Sequence, residues 1–168
     1  MKYPSIFNDI IGPVMRGPSS SHCAAALRLG RMARDLMDGD IAEVRVEYDS
    51  SGAFATTHRD QGTDMGLFAG LLGWEMTDER LPHSETAIKE AGIEVGVQIS
   101  DLGLKHPTGI RLTLKDSGEQ HELTAISTGG GIVKIISIDS LSVSIAGDYC
   151  ETLVFCDSSD KELIDGLP

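Results

Sequence analysis

From about Ser20 to Met37, hydrophobic residues recur at steps of three and four positions, which is the spacing of one face of an α-helix. Polar residues such as Arg28 and Arg31 fall toward the opposite side of that helix. Pro18 and three consecutive serines come just before it, and serine is a preferred residue at helix N-termini. The pattern therefore predicts an amphipathic helix that begins near Ser20.

A different pattern follows at residues 44–48, where hydrophobic and charged residues alternate. Alternation of this kind is typical of a β-strand with one buried face. The next stretch, residues 51–64, is rich in glycine and polar residues, and we interpret it as a loop. Apolar residues from Thr63 to Leu72 predict a second helix, and a third helix is predicted at about 84–91.

The second half of the chain has mostly the pattern of β-strands. They are predicted at 94–99, 110–114, 122–127, 133–138, 142–145 and 152–156, with a hairpin turn at 115–119 and a glycine-rich interruption at 128–131. Early helices packed on a mostly antiparallel or mixed sheet make an α+β protein. We expect one domain over residues 1–157 and a polar tail at 158–168.

Charge narrows the classes of partner. The 168 residues include 26 acidic and 14 basic side chains, which gives a net charge of −12. Nucleic acid and anionic membranes would repel such a chain, so we expect neither as a partner. No apolar run approaches the roughly 18 residues of a membrane helix, and the first residues lack the pattern of a signal peptide. We therefore expect a cytoplasmic protein.

Three cysteines, Cys23, Cys150 and Cys156, are too few and too widely spaced for a disulfide framework or a CxxC metal site. The last two lie six residues apart on the strand predicted at 152–156 and its entry, where even spacing puts both on one face. Their plainest interpretation is that of small, partly buried hydrophobic residues. A metal site on this chain alone would lack a third and a fourth soft ligand.

The segment Gly17 to His22 is the first candidate site. Free backbone N–H groups and the positive end of the helix dipole, together with three hydroxyl groups, can bind a carboxylate or a phosphate. One serine is enough to cap a helix, so the plain alternative is a helix with redundant capping residues. His22 adds a side chain that can act as an acid, a base or a ligand.

Three further segments carry candidate chemistry. In residues 51–64, His58 and three other charged residues precede a helix, the alternative being a solvated loop. His106 stands before a proline that favours extended backbone, the alternative being a structural histidine. Gly129 to Gly131 match no nucleotide-binding pattern and predict close approach of the backbone to a strand or a ligand.

Taken together, these motifs resemble the β chain, or β domain, of the iron–sulfur-dependent bacterial L-serine dehydratases. The resemblance rests on SIFNDIIGPVMRGPSSSH at 5–22, SGAFATTHRDQGTD at 51–64, AGLLGW at 69–74, His106-Pro107, and STGGG at 127–131. Their order and spacing agree with the family. The resemblance covers about residues 1–157, which is nearly the whole chain.

The resemblance implies a domain similar to the allosteric substrate-binding domain of phosphoglycerate dehydrogenases, and a partner α chain that carries a four-iron four-sulfur cluster. In the family, an iron of the cluster binds the substrate hydroxyl as a Lewis acid, a base removes the α-proton, and the enamine hydrolyses to pyruvate and ammonia. This chain would bind substrate through Ser19, Ser20, Ser21, His22, Thr63, Asp64, Gly129 and Gly130, and would contribute His58, Gln61 and His106 to catalysis.

One departure from the family pattern concerns the base. The family usually has TGKGHGTD where this chain has THRDQGTD at 57–64, so Gln61 occupies the histidine position. A neutral amide cannot accept the proton, and we predict that His58 replaces that histidine. Two alternatives stay open: a non-catalytic module that binds small carboxylates, and a dehydratase subunit for another β-hydroxy acid. The sequence also leaves open whether the chain forms a homo-oligomer.

Overall fold

In the computed structural model, which describes residues 14–147, 149 and 151–155, helices cover one face of a six-stranded sheet. The helices are α1 (Ser20–Leu36), α2 (Phe54–Thr57), α3 (Thr63–Leu71) and α4 (Ser84–Glu90), with a 3-10 turn at Leu81–His83. The strands are β1 (Glu43–Asp49), β2 (Glu94–Ser100), β3 (Gly109–Lys115), β4 (Gln120–Gly129), β5 (Ile132–Ile138) and β6 (Leu141–Ile145). The predicted α+β class is confirmed.

The sheet is mixed, with strand order β2-β1-β3-β4-β5-β6. β1 pairs in parallel with β2, whereas the other neighbouring strands are antiparallel. A parallel pair requires a crossover connection, and α2, α3 and α4 supply it between β1 and β2. The remaining strands follow as hairpins. Between β3 and β4 the turn predicted at 115–119 is closed by a hydrogen bond from the N–H of Asp116 to the carbonyl oxygen of Glu119.

The core lies between the helices and one face of the sheet. Alternation along β1 buries Val44, Val46 and Tyr48, as the sequence predicts. The opposite face carries charged pairs between neighbouring strands, such as Lys115 with Glu43. The chain therefore forms two layers over its described residues.

Helices α1 and α3 run side by side in the same direction. Gly66 packs on the carbonyl group of Cys23, and one turn later Gly70 packs on that of Leu27. Gly30 of α1 lies in turn against the backbone of α3 at Leu67. A Cβ atom at any of these glycines would overlap a backbone oxygen, so the helices approach at a distance that only glycine permits.

Two expectations about local structure are wrong. The stretch at 51–64 is not wholly a loop, because Phe54 is buried in the core and the surrounding residues form the helical turn α2. Residues 151–155 do not form a strand: they are exposed and pair with no strand in the part of the chain that the structure describes. Alternating sequence alone does not make a strand where no neighbour supplies a ladder of hydrogen bonds.

Other expectations fall on parts of the chain without a description. Cys150, Cys156 and the predicted polar tail lie outside the described residues, as do residues 1–13. The division into a domain and a tail stays a prediction, and so does the likeness to the allosteric substrate-binding domain. Within the described ranges, no helix is both long and apolar enough to cross a bilayer.

The glycine contacts give a prediction with a definite sign. Gly66→Ala should lower the free energy of unfolding by about 1–3 kcal/mol, because the new methyl group overlaps the carbonyl group of Cys23. Alanine is otherwise better than glycine in a helix by about 1 kcal/mol. Urea unfolding measures the change.

Gly96→Ala is the matched control, since a Cβ at this exposed position of β2 meets no atom within 4 Å. It should leave the urea midpoint nearly unchanged. A stabilised Gly66→Ala variant would contradict the close packing of the two helices.

Candidate functional site

The segments that lead into α1 and into α3, called here the helix entries, are connected by a backbone hydrogen bond and a close contact. The backbone N–H of Ser19 donates to the carbonyl oxygen of Gln61 at 3.1 Å. Gly62 has a positive φ of 80°, and a Cβ there would stand 3.0 Å from Cδ of Pro18. Two segments that are about forty positions apart in the sequence thus form one surface.

The parallel packing of α1 and α3 places their first turns side by side. The first N–H groups of a helix have no partner within the helix, and the helix dipole is positive at this end. α1 has no acidic residue in its first turn, whereas α3 has Asp64 there. The positive end of α1 is therefore the stronger attraction for an anion, and Ser20 and Ser21 border it. No serine side chain caps the helix, so the redundant-cap alternative finds no support at the N-cap residue, Ser19.

Two buried polar atoms in these first turns have no hydrogen-bond partner among the described residues: Nδ1 of His22 and Oγ1 of Thr63. Leaving such an atom unpaired costs about 1–3 kcal/mol, so a water molecule or a ligand group at this place would stabilise the fold. Burial lowers the pKa of His22, which favours its neutral form near pH 7. Thr63 is fully buried.

His58 is held by a buried acid. Its Nδ1 lies 2.7 Å from Oδ2 of Asp64, and the hydroxyl of Tyr48 donates to the other oxygen, Oδ1, at 2.7 Å. The side chains of His58 and Asp64 are 15% and 14% exposed, which contradicts the alternative of a solvated loop residue. The carboxylate accepts from Nδ1–H, so in the neutral imidazole Nε2 is the atom that can accept a proton.

A row of rings connects this pair to the start of α1. The ring of His58 stacks on Tyr48 with 4.8 Å between centroids. Tyr48 meets Phe54 edge to face at 5.9 Å, and Phe54 meets His22 in the same way at 5.0 Å. His22 and His58, both predicted site residues, thus lie at the two ends of one row of packed rings. The sequence predicts the two histidines as site residues but not the rings of Tyr48 and Phe54 between them.

His106 is held by the end of β4. Its Nδ1 lies 2.9 Å from Oγ1 of Thr108, and that hydroxyl donates to the carbonyl oxygen of Ser127 at 2.8 Å. Since the hydroxyl has a single proton, Nδ1 of His106 must be the donor of the first bond. In the neutral imidazole, Nε2 is then free to accept.

The loop of His106 contacts the loop before α2. The carbonyl oxygen of Pro107 accepts from the N–H of Ala53 at 2.6 Å, and a Cβ at Gly52 would stand 2.8 Å from the same oxygen. Both loops leave the sheet at the end where β1 finishes and β3 begins. The His106 group and the Tyr48–Phe54 row are therefore neighbours at one end of the sheet, although no hydrogen bond joins them within the described chain.

Gly129 and Gly130 form the turn at this same end. Their φ angles are 97° and 61°, and a Cβ at either residue would meet nothing within 4 Å. The prediction of close approach to another strand is therefore wrong for these two residues, because the left-handed backbone explains the glycines. Approach to a ligand stays a prediction.

The described residues offer little that could hold an iron–sulfur cluster. Cys23 is buried against α3, and burial raises the pKa of its thiol to about 11, which keeps it protonated. In residues 14–147, 149 and 151–155, no three His, Cys, Asp or Glu side chains come together in a way that could bind a metal ion. The donors that the structure describes do not fit a cluster.

Two cavities lie away from this end of the sheet, along α1. One of about 470 Å³ lies beside Arg28 and Arg31, and one of about 660 Å³ lies between α1 and the end of β6. Neither is lined by a residue predicted to bind substrate or to act in catalysis. The candidate site therefore coincides with neither of these two cavities.

Comparison with known proteins shows two relatives with similar names. The chain is 38% identical over 154 residues to the probable L-serine dehydratase, beta chain, of Bacillus subtilis (strain 168), covering 92% of this chain and 69% of the relative. It is 32% identical over 148 residues to the L-serine dehydratase, beta chain, of Peptoniphilus asaccharolyticus, covering 87% and 66%. It therefore spans about two thirds of the length of these curated relatives. No family model matches the chain.

The fold and the site define an α+β domain whose polar residues gather at one end of a mixed sheet, around the joined entries of two parallel helices. By its likeness to these relatives, the chain belongs to the family of L-serine dehydratase β chains. The resemblance inferred from the motifs is confirmed.

Sequence reasoning missed residues that hold the site together. The alternation at residues 44–48 predicts only a buried position for Tyr48, although a hydroxyl group on a buried face is a signal that it needs a partner. Phe54 lies in the stretch at 51–64, whose glycine and polar residues predict a loop. Gly66 and Gly70, four residues apart in a helix, could have indicated a close helix contact.

Asp49 stabilises both loops of the site and gives a pH-dependent prediction. Hydrogen bonds from the hydroxyl and the N–H of Ser51, at 2.6 and 2.9 Å, hold the pKa of this buried carboxyl group below its usual value. It also accepts from the N–H of Leu104. Its contribution to stability is present above about pH 4 and is lost as the pH falls.

We therefore expect Asp49→Asn to be less stable than the wild type at pH 7, with the difference shrinking below pH 4 in acid unfolding followed by circular dichroism. Exposed Asp40, changed to Asn, is the control and should show a smaller difference. A constant difference from pH 7 to pH 2 for Asp49→Asn would mean that ionisation of this carboxyl group does not matter.

Proposed function

We propose that this chain is the β subunit of an L-serine dehydratase, which with an α chain converts L-serine to pyruvate and ammonia. The names of the relatives support the class of enzyme, and the joined helix entries support a site for the substrate carboxylate. The observation that carries the proposal is the His58–Asp64 pair beside that site.

The substrate carboxylate would bind at the first turn of α1. Backbone N–H groups and the helix dipole would attract the carboxylate, and Ser19, Ser20 and Ser21 would supply hydroxyl donors. His22 and Thr63 each hold a buried polar atom that lacks a partner among the described residues, which supports a bound polar group at this place. Gly129 and Gly130, with free space around them, would contribute backbone donors to the same ligand.

His58 would remove the α-proton of the substrate. Asp64 orients the ring and stabilises the imidazolium that forms when Nε2 accepts the proton, as in other pairs of a histidine with a buried carboxylate. Gln61 cannot accept a proton, and its backbone oxygen is bonded to Ser19. We assign Gln61 to contact with substrate and His106, with its free Nε2, to a later proton transfer.

The proposal places the four-iron four-sulfur cluster on the α chain, because the described donors of this chain do not fit it. The residues of this chain would bind the substrate and would accept or donate protons through their side chains.

A second candidate is a module that binds a small carboxylate without catalysis. Gln61 in place of the family histidine favours it. The two candidates share the anion site and differ in His58, so turnover by the assembled complex distinguishes them. A dehydratase for another β-hydroxy acid would differ only in its substrate.

Replacing the serines tests the anion site. Each single Ser→Ala change at 19, 20 or 21 should weaken binding by about 1–2 kcal/mol, the contribution of one hydrogen bond to a charged acceptor. The triple variant should bind L-serine and sulfate much more weakly in calorimetric titration of the complex with the α chain. Exposed Ser117, changed to Ala, is the control. Unchanged affinity in the triple variant would remove the site.

Replacing His58 tests the catalytic assignment. In the complex with the α chain, His58→Gln should lower the turnover of L-serine at least about a hundredfold, the low end for loss of a general base. Gln61→His added to it should restore part of the activity. Exposed His83, changed to Gln, is the control and should be as active as the wild type.

An active complex in which His58→Gln has no effect would contradict the role of His58. The base would then be sought at His22, at His106 or on the α chain. A complex of wild-type chains that binds L-serine without turnover would favour the non-catalytic module.

A further inference from the structure

Tyr48 is a buried polar side chain to which the proposed function gives no role. It lies on the core face of β1, fully buried, and its hydroxyl donates to Oδ1 of Asp64 at 2.7 Å. A phenylalanine would fill the same space without bringing a hydroxyl group into the core. Packing alone therefore does not explain the hydroxyl group.

The bond divides the carboxylate of Asp64 between two partners. Oδ1 accepts from Tyr48, and Oδ2 lies 2.7 Å from Nδ1 of His58. With one oxygen held from the core, the carboxylate cannot rotate freely about its last bond, so the other oxygen stays directed at the imidazole. Asp64 itself stands in the first turn of α3, which fixes its backbone.

Besides its link through Asp64, Tyr48 contacts His58 directly through its ring. It stacks on the imidazole with 4.8 Å between centroids and 27° between planes. Phe54 packs edge to face on Tyr48 at 5.9 Å, so the tyrosine ring is itself held in place. Burial, and then the nearby charge and hydrogen bond of Asp64, raise the pKa of the phenol, so it remains a proton donor over the physiological range.

We propose that Tyr48 is a positioning residue, whose hydroxyl group fixes Asp64 so that His58 keeps its proton on Nδ1 and presents an unprotonated Nε2 to solvent or substrate. The stacked ring sets the plane of the imidazole, and the hydroxyl sets the tautomer. The effect of Tyr48 on turnover rests on the proposed role of His58, but its effect on the tautomer does not.

The experiment is Tyr48→Phe, which keeps the ring and removes only the hydroxyl. The tautomer of His58 is measured by ¹⁵N nuclear magnetic resonance of the full chain at a pH where the imidazole is neutral, with its signals assigned by His58→Gln. We expect one tautomer in the wild type, with the proton on Nδ1, and a mixture of the two in Tyr48→Phe. Tyr149→Phe, at an exposed position, is the matched control and should resemble the wild type.

Turnover is the second measurement, in the complex with the α chain. Loss of an orienting partner of this kind costs on the order of tenfold, so kcat should fall about tenfold while KM stays within about twofold. A role in packing alone would not be expected to separate kcat from KM or to change the tautomer.

The outcomes separate the two proposals. A tautomer change in Tyr48→Phe without dehydratase activity in the wild-type complex would support the positioning role and overturn the proposed function. An active complex in which Tyr48→Phe changes neither the tautomer nor kcat would overturn the positioning role alone. If Tyr48→Phe does not fold, two signals of the wild-type chain decide: a single Nδ1–H tautomer of His58 together with a Tyr48 hydroxyl proton that exchanges slowly with water supports the proposal, and a mixture of tautomers or a freely exchanging hydroxyl proton overturns it.

Discussion

The close contact between α1 and α3 is the constraint on which the site depends. Glycines at positions 30, 66 and 70 let the two backbones approach until carbonyl groups of one helix touch the other. Such an approach fixes both the spacing and the direction of the helices, because a small rotation would bring side chains into the gap. With the helices parallel and aligned, their N-termini end at the same level, and Ser19 and Gln61 come within hydrogen-bond distance. A contact in the core thus creates a polar surface at the edge of the fold.

The same end of the fold shows how core and site share residues. Tyr48 and Phe54 are among the largest fully buried side chains, and they also contact the two histidines that lie near the helix entries. The packed core therefore restricts the movement of both imidazole rings. Buried polar groups need partners, and Asp64 serves Tyr48 and His58 at once. The arrangement ties the orientation of His58 to the packing of β1, so changes in the core at this end should affect function as well as stability.

The candidate site lies apart from the two cavities beside α1. Among the described residues, no group of side chains fits a cluster. The site has backbone N–H groups and serine hydroxyls that can donate hydrogen bonds to an anion, and two imidazoles that are each held through Nδ1 by a described residue. Under the proposed function, these groups would bind a small substrate and move protons, while a partner supplies the rest. Membership of the L-serine dehydratase β-chain family is consistent with this division.

Much of the local structure follows from the sequence alone. The periodicity predicts α1, β1 and most later strands within a residue or two, because burial of one face requires it, and the motifs predict the family that the relatives confirm. The roles of the site residues that the motifs name stay predictions. How these parts meet is visible only in the folded chain. That α1 and α3 are parallel, that Tyr48 reaches Asp64, and that residues 151–155 have no strand partner in the described chain are facts about contacts between distant segments. Such contacts depend on the packing of whole elements, and no pattern along a single segment contains them.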